Sequence, residues 1–150
     1  MAASGRLKRI LVGFDGSREA GQAVELAIGL GAQLGAELAL LSVLPDTSHL
    51  ETLEAREQAE HAARARLEDH LGAARSHADD VGVHLIHLVV IGGEPADAIA
   101  HHAFEHGFDL VVIGSHGRER DTHGGLGRVV ERLVRAPICP VLIAAEPPTT

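Results

Sequence analysis

From Gly114 to Leu133 the chain reads GSHGRERDTHGGLGRVVERL, directly after the apolar run DLVVI. Gly114, Gly117 and Gly127 leave backbone N–H groups exposed with no β-carbon in the way, which is what a chain of phosphate oxygens requires of a protein surface. A helix starting near Gly127 adds unpaired amides and the positive end of its dipole. Arg118, Arg120 and Arg128 supply positive charge in a chain whose formal net charge is −8. Glycines also suit a plain connector, and on spacing alone both readings stand.

Other chemistries find less support. The turn after the first apolar run is GFDGS rather than G-x-G-x-x-G, and no G-x-x-x-x-G-K-[ST] occurs, which excludes a dinucleotide fingerprint and a Walker-type loop. His102 and His106 stand four apart, a spacing metals accept, but no HExxH accompanies them and no metal site is expected. His116 and His123 fall in the glycine-rich segment, where they would respond to pH. Glu119 and Asp121 could reach a magnesium ion bridging phosphates, but acids in such a loop are more often plain surface charge. No Ser-His-Asp or Cys-His arrangement is legible from the spacing, so no catalytic residue is assigned. Cys139 is the single cysteine, and its apolar neighbours (PICPVLIA) predict an inert buried thiol. Tyr and Trp are absent, which removes most base stacking, and with the acidic balance this argues against a nucleic-acid partner. No apolar run approaches the roughly 18 residues that cross a membrane, and no leader-type segment is visible, so a cytoplasmic location is expected.

The elements that must position these residues follow from hydrophobic patterning. With 45% apolar residues in 150, the chain is read as a single domain, 1–150, with a short arm over about 1–7 and a frayed tail over about 146–150. RILVGFD, ELALLSVL, VGVHLIHLVV, FDLVVIG and PVLIAA read as five strands. Between them the spacing predicts a helix over 17–34 stopped by Gly35, and a long one over 51–80. Leu53, Ala59, Ala63, Leu67, Leu71 and Ala74 form the buried stripe of the long helix. A third helix opens at Pro95 and closes at Gly107, and a last one runs from about Leu126 to Arg135. Leu34 is assigned to the buried face of the first helix. Strict alternation of strand and helix implies an α/β fold, a parallel sheet with helices on both faces. Ligands of such sheets bind beyond the carboxyl ends of the strands. The residues there are Asp15, Ser42 to Leu44, Gly92 to Glu94, and Gly114 onward.

The spacing Gly114-x2-Gly117-x9-Gly127 resembles the G-2x-G-9x-G-[ST] signature of the universal stress protein family in its ATP-binding branch. ILVGFDGSREAGQAVELAIGLGAQLGAELALLSVL is similar to the family's opening, and GSHG and VVERLVRAPICPVLI to its ending. The resemblance implies an open five-stranded parallel sheet of Rossmann-like, adenine nucleotide alpha hydrolase-like type, in the order 3-2-1-4-5. It also implies dimerisation through the last strand, residues 140–145. ATP, with or without magnesium, is the implied ligand, with AMP, ADP or a cyclic nucleotide as alternatives. Asp15 matches the acidic residue near the adenosine, and Gly13 and Phe14 lead into it. Val43 matches the residue whose backbone meets the adenine edge. Ile113 and Gly114 end the fourth strand beside the nucleotide, and Gly117, Arg118, Gly127, Arg128 and Val129 fall where phosphates are held. The chain departs from the signature at Arg128, where Ser or Thr is the rule. A guanidinium there grips phosphate, points to solvent, or occupies the phosphate site. In the last case the chain is a stress protein acting through contacts with an unknown protein partner. If nucleotide binds, it is expected as a ligand or switch, with at most slow ATP hydrolysis; if Arg128 fills the site, no nucleotide is expected.

Overall fold

The five apolar runs become the strands of one parallel sheet. The computed structural model describes residues 6–116, 127–135 and 137–145. The strands are β1 (Arg9–Gly13), β2 (Glu37–Leu44), β3 (Leu85–Ile91), β4 (Leu110–Gly114) and β5 (Val141–Ala144), in the order β3-β2-β1-β4-β5. Gly13 lies opposite Leu41 and Val12 opposite Val112, so the carboxyl ends of β2, β1 and β4 finish side by side.

Among the described residues five helices cover the sheet: α1 (Arg18–Leu34), α2 (Leu53–Asp69), α3 (Gly72–Asp80), α4 (Pro95–Glu105) and α5 (Arg128–Arg135). Successive side chains of a strand face opposite sides. Ile10, Val12 and Phe14 accordingly enter a core with Val24 and Ile28 of α1, Leu67 of α2 and Ala74 of α3. Leu11 and Ile113 enter a second core with Ile99 of α4 and Val130 of α5. Both sheet faces are thus buried, which explains why the strands read as continuous apolar runs.

Three expectations are corrected. The helix expected over 51–80 is two helices. At the junction the His70 and Leu71 amides bond the Leu67 and Glu68 carbonyls, at 3.1 and 2.9 Å, which tightens the last turn and re-aims the chain. Leu53 is 69% exposed and Leu34 47%, so neither joins a core. β3 begins only at Leu85, because the chain first turns through Gly82.

Candidate functional site

The winding of the sheet changes direction between β1 and β4, and in open parallel sheets the crevice at that point receives ligands. Phe14 extends β1 by one bond, its N–H donating to the Leu41 carbonyl at 2.9 Å. Asp15 follows, half-buried. Its Oδ1 accepts the Ser17 N–H at 2.9 Å, and the Ser17 hydroxyl accepts the Ala20 N–H at 3.1 Å. Ser17 is therefore the cap of α1, and Asp15 braces the turn that leads into it. This local bracing fixes where the carboxylate stands.

On the other side of the switch point, Gly114 ends β4 against the first turn of α1. A β-carbon at Gly114 would come within 2.8 Å of the Glu19 backbone carbon and oxygen, so close packing alone demands glycine there. Gly13 is less constrained: a β-carbon there would come 2.9 Å from Ile99 Cδ1, the end of a side chain that can shift. Ile113 is buried in the second core, so its side chain is committed to packing. Ser115 follows, its carbonyl accepting the Gly127 N–H at 2.8 Å, while the Gly127 carbonyl accepts from Glu131 at 3.0 Å. Gly127 thereby starts α5 and holds it at the end of β4, which commits its own amide. As first-turn residues, Arg128 and Val129 have no carbonyl within α5 for their amides to bond. Arg128 is exposed, Val129 half-buried. Gly117 and Arg118 lie outside the described residues, as do Glu119, Arg120, Asp121, His123 and Leu126.

Val43 is half-buried near the end of β2, beside the same edge. Its neighbour Ser42 is 1% exposed and carries an interaction that spacing did not reveal. The Ser42 hydroxyl donates to the Phe14 carbonyl at 2.5 Å and lies 2.8 Å from His87 Nε2. His87 Nδ1 is 2.9 Å from Glu68 Oε1, and Glu68 holds Arg75 of α3 through two bonds, at 3.1 and 3.0 Å. The Arg75 guanidinium and the His87 ring together hold the Glu68 carboxyl below its usual range. The Ser-His-acid grouping that no spacing suggested is assembled by strand register. His87 pairs with Leu40, two residues before Ser42, so both polar side chains reach the same face. A serine and a histidine on the same face of neighbouring strands, two positions apart in register, form the pattern that marks it.

The 45–52 segment is fixed to α2: Arg56 donates to the Leu50 and Ser48 carbonyls at 2.9 and 3.2 Å, and Thr47 to Glu60 at 3.0 Å. Within it the Ser48 amide and hydroxyl hold the Asp46 carboxyl below its usual range. Arg132 of α5 reaches Asp97 and Glu94 of α4 at 2.9 and 3.4 Å, which ties together the two helices on that face.

The remaining candidates lie elsewhere. The His102 and His106 rings lie tilted against each other with centres 4.4 Å apart, and burial pushes His102 down from its ordinary pKa. Among the described residues no group of three or more His, Cys, Asp or Glu is placed to hold a metal. Cys139 is half-buried rather than buried, and desolvation followed by the nearby Asp109 charge pushes its thiol up. A groove of about 380 Å³ runs along Val134 and Ile138 beside β5, away from the switch point. No helix among the described residues is long and apolar enough to cross a membrane.

Comparison with known proteins agrees with this architecture. Universal stress protein YxiE of Bacillus subtilis (strain 168) is 31% identical over 148 residues, covering 90% of this chain and 97% of its own. The structure of hypothetical protein MJ0577 superposes with a TM-score of 0.80 at 23% identity, over 95% of this chain and 99% of that one. A universal stress protein in complex with cAMP is 26% identical with a TM-score of 0.68, over 93% and 98% of the two chains. The family description that matches residues 6–145 is the universal stress protein family. On that match, and on a sheet whose strand order agrees with it, the chain belongs to the universal stress protein family.

Proposed function

We propose that the chain binds an adenine nucleotide, ATP foremost, across the carboxyl ends of β1, β2 and β4, as a ligand or switch rather than a substrate. The carrying observation is that Asp15 and the Ser115–Gly127 junction follow the carboxyl ends of the paired strands β1 and β4, at the switch point of the sheet. Asp15 and Val43 take the adenosine, and the amides of Arg128 and Val129 the phosphates, together with Gly117 and Arg118. The cAMP-bound relative supports an adenine ligand. Arg128 stands at the positive end of α5, where a cation is unfavourable unless an anion lies close by. That position favours a phosphate-gripping role over the alternative in which Arg128 fills the site. The same reading places the protein in the cytoplasm, as a single domain, responding to stress through a protein partner that senses the bound state.

We also propose a homodimer through β5. This strand is the sheet edge beyond β4, its Val141, Leu142 and Ile143 are only half-buried, and the exposed Ile138 lies next to it. An apolar edge of this kind invites a second strand.

The nucleotide claim is tested by denaturing freshly purified protein to identify released nucleotide, then following melting temperature against ATP, ADP, AMP and cAMP with magnesium. Ligand at 100 times its Kd stabilises by about 2.7 kcal/mol. Arg128→Ala is expected to weaken ATP more than adenosine. No released nucleotide and no shift at millimolar ligand overturns the reading.

A further inference from the structure

We infer that Ser42, His87 and Glu68 form a proton-dependent positioning relay beneath the adenosine subsite, so that protonation of His87 raises nucleotide affinity. The inference rests on the nucleotide reading above. Its basis is the number of protons the contacts require. The Phe14 carbonyl is an acceptor only, so the Ser42 hydroxyl proton is committed to it across 2.5 Å. Ser42 Oγ can then meet His87 Nε2, at 2.8 Å, only as an acceptor, and that nitrogen must carry hydrogen. On the other side, Glu68 is kept ionised chiefly by Arg75, and an ionised carboxylate accepts only. His87 Nδ1, 2.9 Å from it, must carry hydrogen as well. All the contacts hold together only for a doubly protonated ring.

The groups facing that ring are Ser42 of β2, Glu68 of α2 with Arg75 of α3 behind it, and the Phe14 ring, edge-on at 6.2 Å. Loss of one proton leaves a neutral ring with a single donor. If that donor stays on Glu68, Nε2 becomes an acceptor and draws the Ser42 hydroxyl away from the Phe14 carbonyl. Phe14 precedes Asp15, and Ser42 precedes Val43, so the hydroxyl ties together the two strand ends that bracket the adenosine. Ser42 is not a nucleophile: it is buried and its proton is already donated. Histidine is the side chain that exchanges this proton near neutral pH. The sign follows from the proton count: the relay is complete with both ring nitrogens protonated, so affinity is higher on the acid side than on the alkaline side.

Two measurements test the relay. In the unliganded protein, the ring nitrogens of His87, assigned by their loss in His87→Asn, are followed by ¹⁵N NMR from pH 5.5 to 8.5. Both nitrogens are expected in the protonated range at the acid end, and Glu68→Gln is expected to move the transition to lower pH. A single neutral tautomer throughout overturns the relay. Second, ATP affinity is compared at pH 6 and pH 8 in the wild type and in Ser42→Ala. Losing one hydrogen bond corresponds to about a fivefold fall on going to pH 8. The phosphate's own titration, near pH ~6, is common to both proteins and cancels in the comparison. An equal change in both proteins overturns the coupling even if ATP binds. Absence of binding at either pH overturns the nucleotide reading and the coupling with it, while the NMR result separately decides the protonated chain.

Discussion

Gly114 carries two explanations, and only one needs a ligand. The resemblance assigns it to the nucleotide site, but its missing side chain is already required by the Glu19 backbone of α1. Because the obstructing atoms are main chain, they cannot swing aside as a side-chain end would. Gly114→Ala is therefore expected to destabilise by about 1–3 kcal/mol, as over-packing does, whether or not nucleotide is present. Urea unfolding of the unliganded protein measures this, and an unchanged midpoint would return Gly114 to a purely ligand-facing role. Asp15 is similar in kind: holding the Ser17 amide gives it a structural task that a carboxylate at a helix entrance performs in many folds. A residue picked out by a motif is thus already fixed by packing or by a turn.

The α2–α3 corner is held by Glu68, which reaches Arg75 on one side and His87 on the other. Its folded pKa is lowered, so its contribution is present above the unfolded value and lost as pH falls through the folded one. Glu68 is half-exposed, which keeps that contribution below about 1 kcal/mol. Glu68→Gln is expected to flatten the acid limb of stability against pH, measured by urea midpoints between pH 3 and 6. An unaltered limb would mean the corner is held by Leu67 and Leu71 alone. This corner was also the least legible part of the sequence. The apolar spacing of Leu67, Leu71 and Ala74 runs on through the break, so periodicity could not mark it. Nor could spacing show that residues 42, 68 and 87 meet, since strand register and a helix corner bring them together. The central strands β1, β2 and β4 were legible because both their faces are buried, and β3 and β5 because they stay mostly apolar although only half-buried. Asp15 and Gly114 were legible because ligand positions in parallel sheets follow strand ends.

At the scale of the whole molecule, β5 ends the sheet on one side, with no further strand beyond it among the described residues. If a second copy covers it, Ile138 loses its solvent exposure on assembly. Ile138→Glu is then expected to shift the sedimentation equilibrium from dimer to monomer with the circular dichroism spectrum preserved. A wild-type monomer at all concentrations would discard the assembly. The order of the strands was expected from the family resemblance rather than from patterning. Alternating strands and helices specify parallel pairing but leave the sequence of neighbours open.

The bond from the Gly127 amide to the Ser115 carbonyl uses main chain only, and so is indifferent to side-chain identity at either end. It works like the clasp of a cassette. Whatever side chains evolution or design sets at 115 and 127, β4 and α5 stay joined at this point.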